Sequence, residues 1–164
     1  MEFKKIQLNG FKSFAEKADF LIEDGLTGIV GPNGCGKSNI VESLRWAMGE
    51  TSAKSMRGSG MEDVIFSGTS NKASKNIAEV TIEVENKDKE GPVQYRDHDQ
   101  IQIKRKIEKD KGSKFYINGK EVRARDAQMF FADLSTGAHS PSMISQGRIG
   151  ALVTAKPTDR RAIL

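Results

Sequence analysis

Eight residues, Gly31-Pro32-Asn33-Gly34-Cys35-Gly36-Lys37-Ser38, constrain this chain more than any others. They fit the pattern of Gly, four residues, Gly, Lys, then Ser or Thr, in which a glycine-rich turn gathers backbone N–H groups around a phosphate. Gly31, Gly34 and Gly36 leave the backbone free to converge on an anion. Lys37 brings a cation to the β- and γ-phosphates, and the Ser38 hydroxyl is placed to take one position on Mg²⁺. Pro32, Asn33 and Cys35 fill the loop and Asn39 follows it; Cys35 is read as contributing its backbone N–H alone. Such a loop runs from a strand into a helix whose N-terminal dipole faces the anion. The chain supplies candidates for both. Leu26-Thr27-Gly28-Ile29-Val30 reads as a short buried strand. Ile40, Val41, Leu44, Ala47 and Met48 recur at helical spacing, with Gly49 placed to end the helix.

Around that loop, 164 residues suffice for one domain with a core, or for part of a larger one. With 37% apolar and 29% charged residues the chain reads as soluble and globular, and no apolar run approaches the roughly 18 residues of a membrane span. Met1 to Lys5 leads directly into a strand-like segment, without the pattern of a secretory leader. The single cysteine excludes an internal disulfide and fits a reducing cytoplasm. The net charge of +4 is unevenly distributed. Residues 1–100 carry 13 Lys/Arg against 16 Asp/Glu, and residues 101–164 carry 13 against 6, so the two parts stand at −3 and +7.

Strands are expected at Phe3–Leu8 and Ala18–Glu23, forming with 26–30 a small sheet ahead of the loop. Asn9-Gly10 marks a turn between the first strand and Phe11-Lys12-Ser13-Phe14. After the helix come a small-residue loop, Lys54–Gly60, and an apolar Val64-Ile65-Phe66. Alternation makes Ile77–Val84 a strand, with Ile77, Val80, Ile82 and Val84 apolar. Asn86 to Gln100 is charged and contains Gly91-Pro92, and reads as a mobile surface connection. Ile101, Ile103, Arg105 and Ile107 alternate with polar residues, Phe115-Tyr116-Ile117 follows, and Asn118-Gly119 signals a tight hairpin. Together these predict an antiparallel three-stranded meander over 101–123. Asp126–Leu134 is expected to be helical with Met129, Phe130 and Phe131 partly buried. Thr158-Asp159 would cap a last helix starting at Arg160.

Four stretches together resemble the N-terminal half of the ATPase head of structural maintenance of chromosomes (SMC) proteins, bacterial ones above all. They are Gly10–Phe14; the phosphate loop through Asn39; Arg57-Gly58 with Met61–Phe66; and Ser145-Gln146-Gly147-Arg148-Ile149 followed by Lys156–Arg161. The resemblance implies an α/β, ABC-type P-loop ATPase head, whose N-terminal lobe has a mixed sheet around the loop and an antiparallel β-subdomain. It implies that residues 1–164 form the N-terminal part of that head, with 158–164 leading into a coiled coil. It also assigns roles. Gln146 would be the glutamine reaching Mg²⁺ and the attacking water; Arg57 would approach the nucleotide, where a cation offsets charge in the transition state. Lys12 would lie near the phosphates, although by itself it reads equally as a solvated surface lysine. ATP and Mg²⁺ are the implied ligands.

The sequence holds no Leu-Ser-Gly-Gly segment, no apolar strand ending in Asp-Glu and no histidine in a switch setting, His98 and His139 included. In the family these come from the C-terminal half of the head, beyond the coiled coil, so the chain is read as a fragment. The partners implied are that C-terminal half, a second SMC head in a homodimer, a kleisin-type subunit and DNA bound without sequence preference, at the nucleoid and with no membrane. Other readings are a coiled-coil DNA-repair ATPase, an ABC transporter ATP-binding subunit, and a DNA-binding module with a vestigial loop. A transporter subunit would carry its signature segment soon after Gln146, where this chain turns Lys/Arg-rich. The intact Lys37, Ser38 and Gln146 set argues against a vestigial loop.

The basic excess concentrates in 104–125: Lys104, Arg105, Lys106, Lys109, Lys111, Lys114, Lys120, Arg123 and Arg125 against Glu108, Asp110 and Glu121, a net +6. Two roles suit it: a solvated edge whose lysines deter strand pairing, or a contact to DNA phosphates.

Overall fold

The computed structural model describes residues 1–53, 57–89 and 91–133. Six strands, β1 (Glu2–Asn9), β2 (Ala18–Leu21), β3 (Ile77–Glu85), β4 (Gln100–Glu108), β5 (Gly112–Ile117) and β6 (Lys120–Val122), form one sheet in the order β2-β1-β3-β4-β5-β6. Every ladder is antiparallel. Among the described residues two α-helices, α1 (Lys37–Ala47) and α2 (Ala124–Asp133), complete the α/β fold.

Alternation sets the register. Ile6, Ile82, Ile103 and Ile117 stand opposite one another across β1, β3, β4 and β5, and all four are buried. Each contributes about 1.5–3 kcal/mol by leaving water. A one-residue slip in any strand would turn its isoleucines outward, which is why the register is firm. Trp46 from α1 and Phe130 and Phe131 from α2 join the same core. The other face is polar and cross-paired: Lys5 meets Glu83 at 2.8 Å and Lys106 meets Glu79 at 3.8 Å.

The meander over 101–123 forms as expected, its turn made by Asn118 (φ 49) and Gly119 (φ 79), two left-handed residues in succession that match the twist of a hairpin. Several expectations need correction. Residues 26–30 are not a strand: among the described residues no ladder includes them, and Leu26 and Val30 are exposed. An apolar run becomes a strand only where a neighbouring strand pairs with it, and here the sheet edge runs along β2 instead. The parallel part of the expected mixed sheet is therefore missing from the described residues. Residues 86–89 and 91–100 are tied to the fold. Asn86 is fully buried, its backbone N–H donates to the Asp99 carbonyl at 2.7 Å, and its Nδ2 donates to the His98 carbonyl at 3.2 Å. Tyr95 packs edge-on against Phe130, ring centroids 5.8 Å apart. Ile77 is out of phase with the inward row of Ala78, Val80, Ile82 and Val84, Val41 lies on the exposed side of α1, and Met129 is exposed while Phe130 and Phe131 are fully buried. The stretch Ser145–Ile149 and the helix expected from Arg160 lie outside the described residues.

Candidate nucleotide site

The loop at 31–36 enters α1 through Gly36, whose φ of 95 is left-handed and suits glycine alone. A Cβ there would come within 2.4 Å of Ser13 Oγ, which would have to turn away from Asn39. Gly34 is also left-handed (φ 83). Gly31 is not; a Cβ there would lie 2.8 Å from Cys35 Sγ, which would have to turn aside. No side chain caps the start of α1, and its first turn holds no acid. Helices normally recruit Ser, Thr, Asp or Asn to satisfy those N–H groups. An uncapped start behind a glycine loop is a site an anion completes.

Lys37 Nζ donates to the carbonyls of Gly31, at 2.5 Å, and Pro32, at 2.6 Å, and lies 3.9 Å from Cys35 Sγ. These partners hold the ammonium across the loop. A cavity of about 540 Å³ opens here, lined by Asn33, Gly34, Gly36, Lys37, Ser38, Asn39 and Arg57. Arg57, eighteen residues from Asn39 in sequence, thus reaches the loop, and its Nη2 donates to Asn39 Oδ1 at 2.9 Å.

Lys12 stands one layer back. Its ammonium pairs with Glu42 of α1, so the lysine is a partnered residue beside the loop and not a solvated one. Its segment is tied to 61–66: the Lys12 N–H donates to the Val64 carbonyl at 2.7 Å, and Phe66 N–H donates to Gly10 O at 2.8 Å. Two stretches that the sequence singled out separately are therefore one structural unit. Asn39 Nδ2 donates to Ser13 Oγ at 2.9 Å and joins that unit to α1.

Two further acids escaped the reading of the sequence. Asp63 Oδ2 accepts from the N–H groups of Ser59, at 2.6 Å, and Gly60, at 2.9 Å, and from Ser59 Oγ at 2.8 Å. Those bonds, Gly60 foremost, hold its carboxyl below the usual carboxylate range. They shape the turn that follows Arg57. Glu42 is the other, and its spacing of three from Asn39 was the available signal, since residues three apart share a helix face. Gln146 lies outside the described residues.

A glycine loop leading into an uncapped helix, with a lysine across the loop, defines a P-loop phosphate-binding domain. The family model for the RecF/RecN/SMC N-terminal domain matches residues 2–148, and the chain belongs to that family. Over its whole length it is 54% identical to the chromosome partition protein Smc of Rhodopseudomonas palustris and 44% identical to that of Myxococcus xanthus. It spans about 14% of the length of either relative. Among solved structures, an SMC ATPase studied for ATP-driven dimerization and DNA-stimulated activation superposes with a TM-score of 0.91 at 32% identity, over 99% of this chain and 97% of that one. An SMC head bound to the C-terminal winged-helix domain of ScpA superposes equally well, with a TM-score of 0.91 at 32% identity, over 99% of this chain and 50% of the other. The fold is thus that of an ABC-type SMC head, in its N-terminal part. No described helix is long and apolar enough to cross a membrane.

Proposed function

We propose that this chain is the nucleotide-binding N-terminal part of a bacterial SMC head that binds ATP with Mg²⁺ and, in the full-length protein, hydrolyses it during chromosome partition. One observation carries the reading: Lys37, Ser38, Asn39 and Arg57 line one cavity at the uncapped start of α1. The residues fit the ligand, because a polyphosphate would find backbone N–H groups, a helix N-terminus and two cations on one side. Gly31, Pro32, Asn33, Gly34, Cys35 and Gly36 cradle the phosphates through their backbone. Lys37 exchanges its loop carbonyls for phosphate oxygens, Ser38 offers its hydroxyl to Mg²⁺, and Arg57 faces the phosphate end. Gln146 keeps the role that the family resemblance implies, at the metal and the attacking water. Bound Mg²⁺ neutralises charge developing on the transferred phosphoryl group.

The rest of the head comes from elsewhere. Leu26, Ile29 and Val30 are exposed apolar residues directly before the loop, which supports a C-terminal half that pairs with this segment and supplies the missing acidic strand. A second head, a kleisin-type subunit and DNA are the further partners, and the nucleoid is the place of action. The high identity to proteins named for chromosome partition favours this reading over a repair ATPase.

The test is ATP titration of the full-length protein. Lys37→Ala should abolish binding, because it removes the cation at the β- and γ-phosphates. Retained binding overturns the assignment of the loop.

A further inference from the structure

Glu42, in the middle of α1, is a buried acid beside a phosphate site. A carboxylate so placed repels the ligand unless it is neutralised, and burial of a charge demands partners. Each of its oxygens has one. Lys12 Nζ pairs with Oε2 and Arg57 Nε pairs with Oε1. Both cations come from loops remote in sequence, and both hold left-handed backbone, Lys12 at φ 47 and Arg57 at φ 55. Long side chains rarely adopt that conformation, and outliers of this kind persist where surrounding contacts hold them, commonly at ligand clamps. Two strained cations therefore converge on one acid.

The contacts of Arg57 with Glu42 and Asn39 engage two of the five N–H donors a guanidinium carries. The planar group is fixed at two corners while it lines the cavity with Lys37 and Ser38. A freely moving arginine would have to be ordered as the phosphates arrive.

We propose that Glu42 is a positioning residue for the nucleotide reaction, fixing Arg57 at the rim of the phosphate cavity, with Lys12 neutralising the acid from behind, so that the guanidinium meets the phosphates already ordered. This rests on the reading of the loop as an ATP site. Glu42 does not touch the ligand. It acts through Arg57, and it offsets the mutual repulsion of Lys12, Lys37 and Arg57 while the nucleotide is absent.

The experiment is steady-state ATP hydrolysis and ATP titration with full-length protein carrying Glu42→Gln, Arg57→Ala, both together, or Lys37→Ala. Glu42→Gln should lower kcat about tenfold with KM near the wild-type value, and the double variant should be no slower than Arg57→Ala alone. A purely structural salt bridge would instead lower the melting temperature and leave kcat unchanged or give additive losses; either kinetic result overturns the proposal. If Glu42→Gln does not fold, Glu42→Asp keeps the charge and withdraws the carboxylate by one methylene. Reduced kcat at an unchanged melting temperature then supports the proposal, and wild-type kcat overturns it. Lys37→Ala separates the two levels. Lost ATP binding there, with wild-type kinetics in Glu42→Gln, sinks only the positioning role, whereas retained binding in Lys37→Ala removes the ATP reading itself.

Discussion

The guanidinium of Arg105 lies over the ring of Trp46, 4.6 Å from its centroid, and over that of Phe115 at 4.7 Å. Its Nη1 donates to the carbonyls of Trp46 and Glu50, each at 2.7 Å. The Trp46 carbonyl is in the last turn of α1, where the helix dipole is negative, and that of Glu50 lies three residues past the helix end. A strand of the meander thus caps the helix that begins at the phosphate loop. Burial pushes the guanidinium down to about 10, against the nearby Glu50 carboxylate, and it stays charged at neutral pH.

Arg105→Ala should therefore cost about 2–3 kcal/mol, since it removes the charged donors to the Trp46 and Glu50 carbonyls and the stacking on Trp46 and Phe115. Arg105→Lys keeps the charge but loses the planar stacking and the paired donors, and should recover only part of that loss. Denaturant unfolding of the three forms measures both. A change below about 0.5 kcal/mol in Arg105→Ala, the range of ordinary surface substitutions, would show that the cap is ornamental.

The same residue marks how far the sequence could be read. Its place in the alternation with Ile101, Ile103 and Ile107 points it inward, yet by composition it counts among the surface cations; periodicity was the better guide. Strands with one buried face were legible because their pattern is local. The failures are non-local. Residues 26–30 have the composition of a strand but no neighbour to pair with among the described residues, and 91–100 is tied to Asn86, whose partners lie ten or more residues away. The loop of the site was legible as a motif, but the joining of Lys12, Glu42 and Arg57 needs three separate segments brought together.

Arg57→Ala and Gln146→Ala should each leave ATP binding largely intact and slow hydrolysis, in contrast to Lys37→Ala. For Arg57 the expected loss is about 2–4 kcal/mol of transition-state stabilisation. Comparing kcat with the ATP dissociation constant in the full-length protein separates the two effects. Equal losses of affinity in all three variants would remove the catalytic roles of Arg57 and Gln146.

Asp63 gives the site an acid limit. Its carboxyl is held below the ordinary value of 3.8, chiefly by the Gly60 N–H and then by Ser59. A depressed carboxylate stabilises the fold above its unfolded value, and that contribution disappears as pH falls through the folded value. Asp63→Asn should therefore differ most from the wild type at neutral pH, and the two melting temperatures should converge below about pH 4. A constant gap from pH 7 to pH 3 would mean that the ionised carboxylate does not hold the 59–60 turn.

The basic hairpin is smaller than its composition suggests, because Arg105 is buried and eight cations remain at 104–125. Four of the eight are already paired: Lys106 with Glu79, Lys111 with Glu108, Lys114 with Glu121 and Arg123 with Asp126. Surface pairs of this kind are weak and exchange readily for phosphate. Lys104 carries no ion pair among the described residues, and it shares the outer face of β4 with Lys106, whose pair is long at 3.8 Å. If this face contacts DNA, binding should fall linearly with salt on logarithmic axes, and each phosphate contact removed should reduce the slope by about 0.9. Lys104→Glu with Lys106→Glu, in the full-length protein with a duplex of arbitrary sequence, should lower both slope and affinity. Their outward position leaves the core isoleucines untouched, so the melting temperature should change little. An unchanged slope would leave these lysines as a solvated edge that deters strand pairing, and would place DNA on another surface of the head.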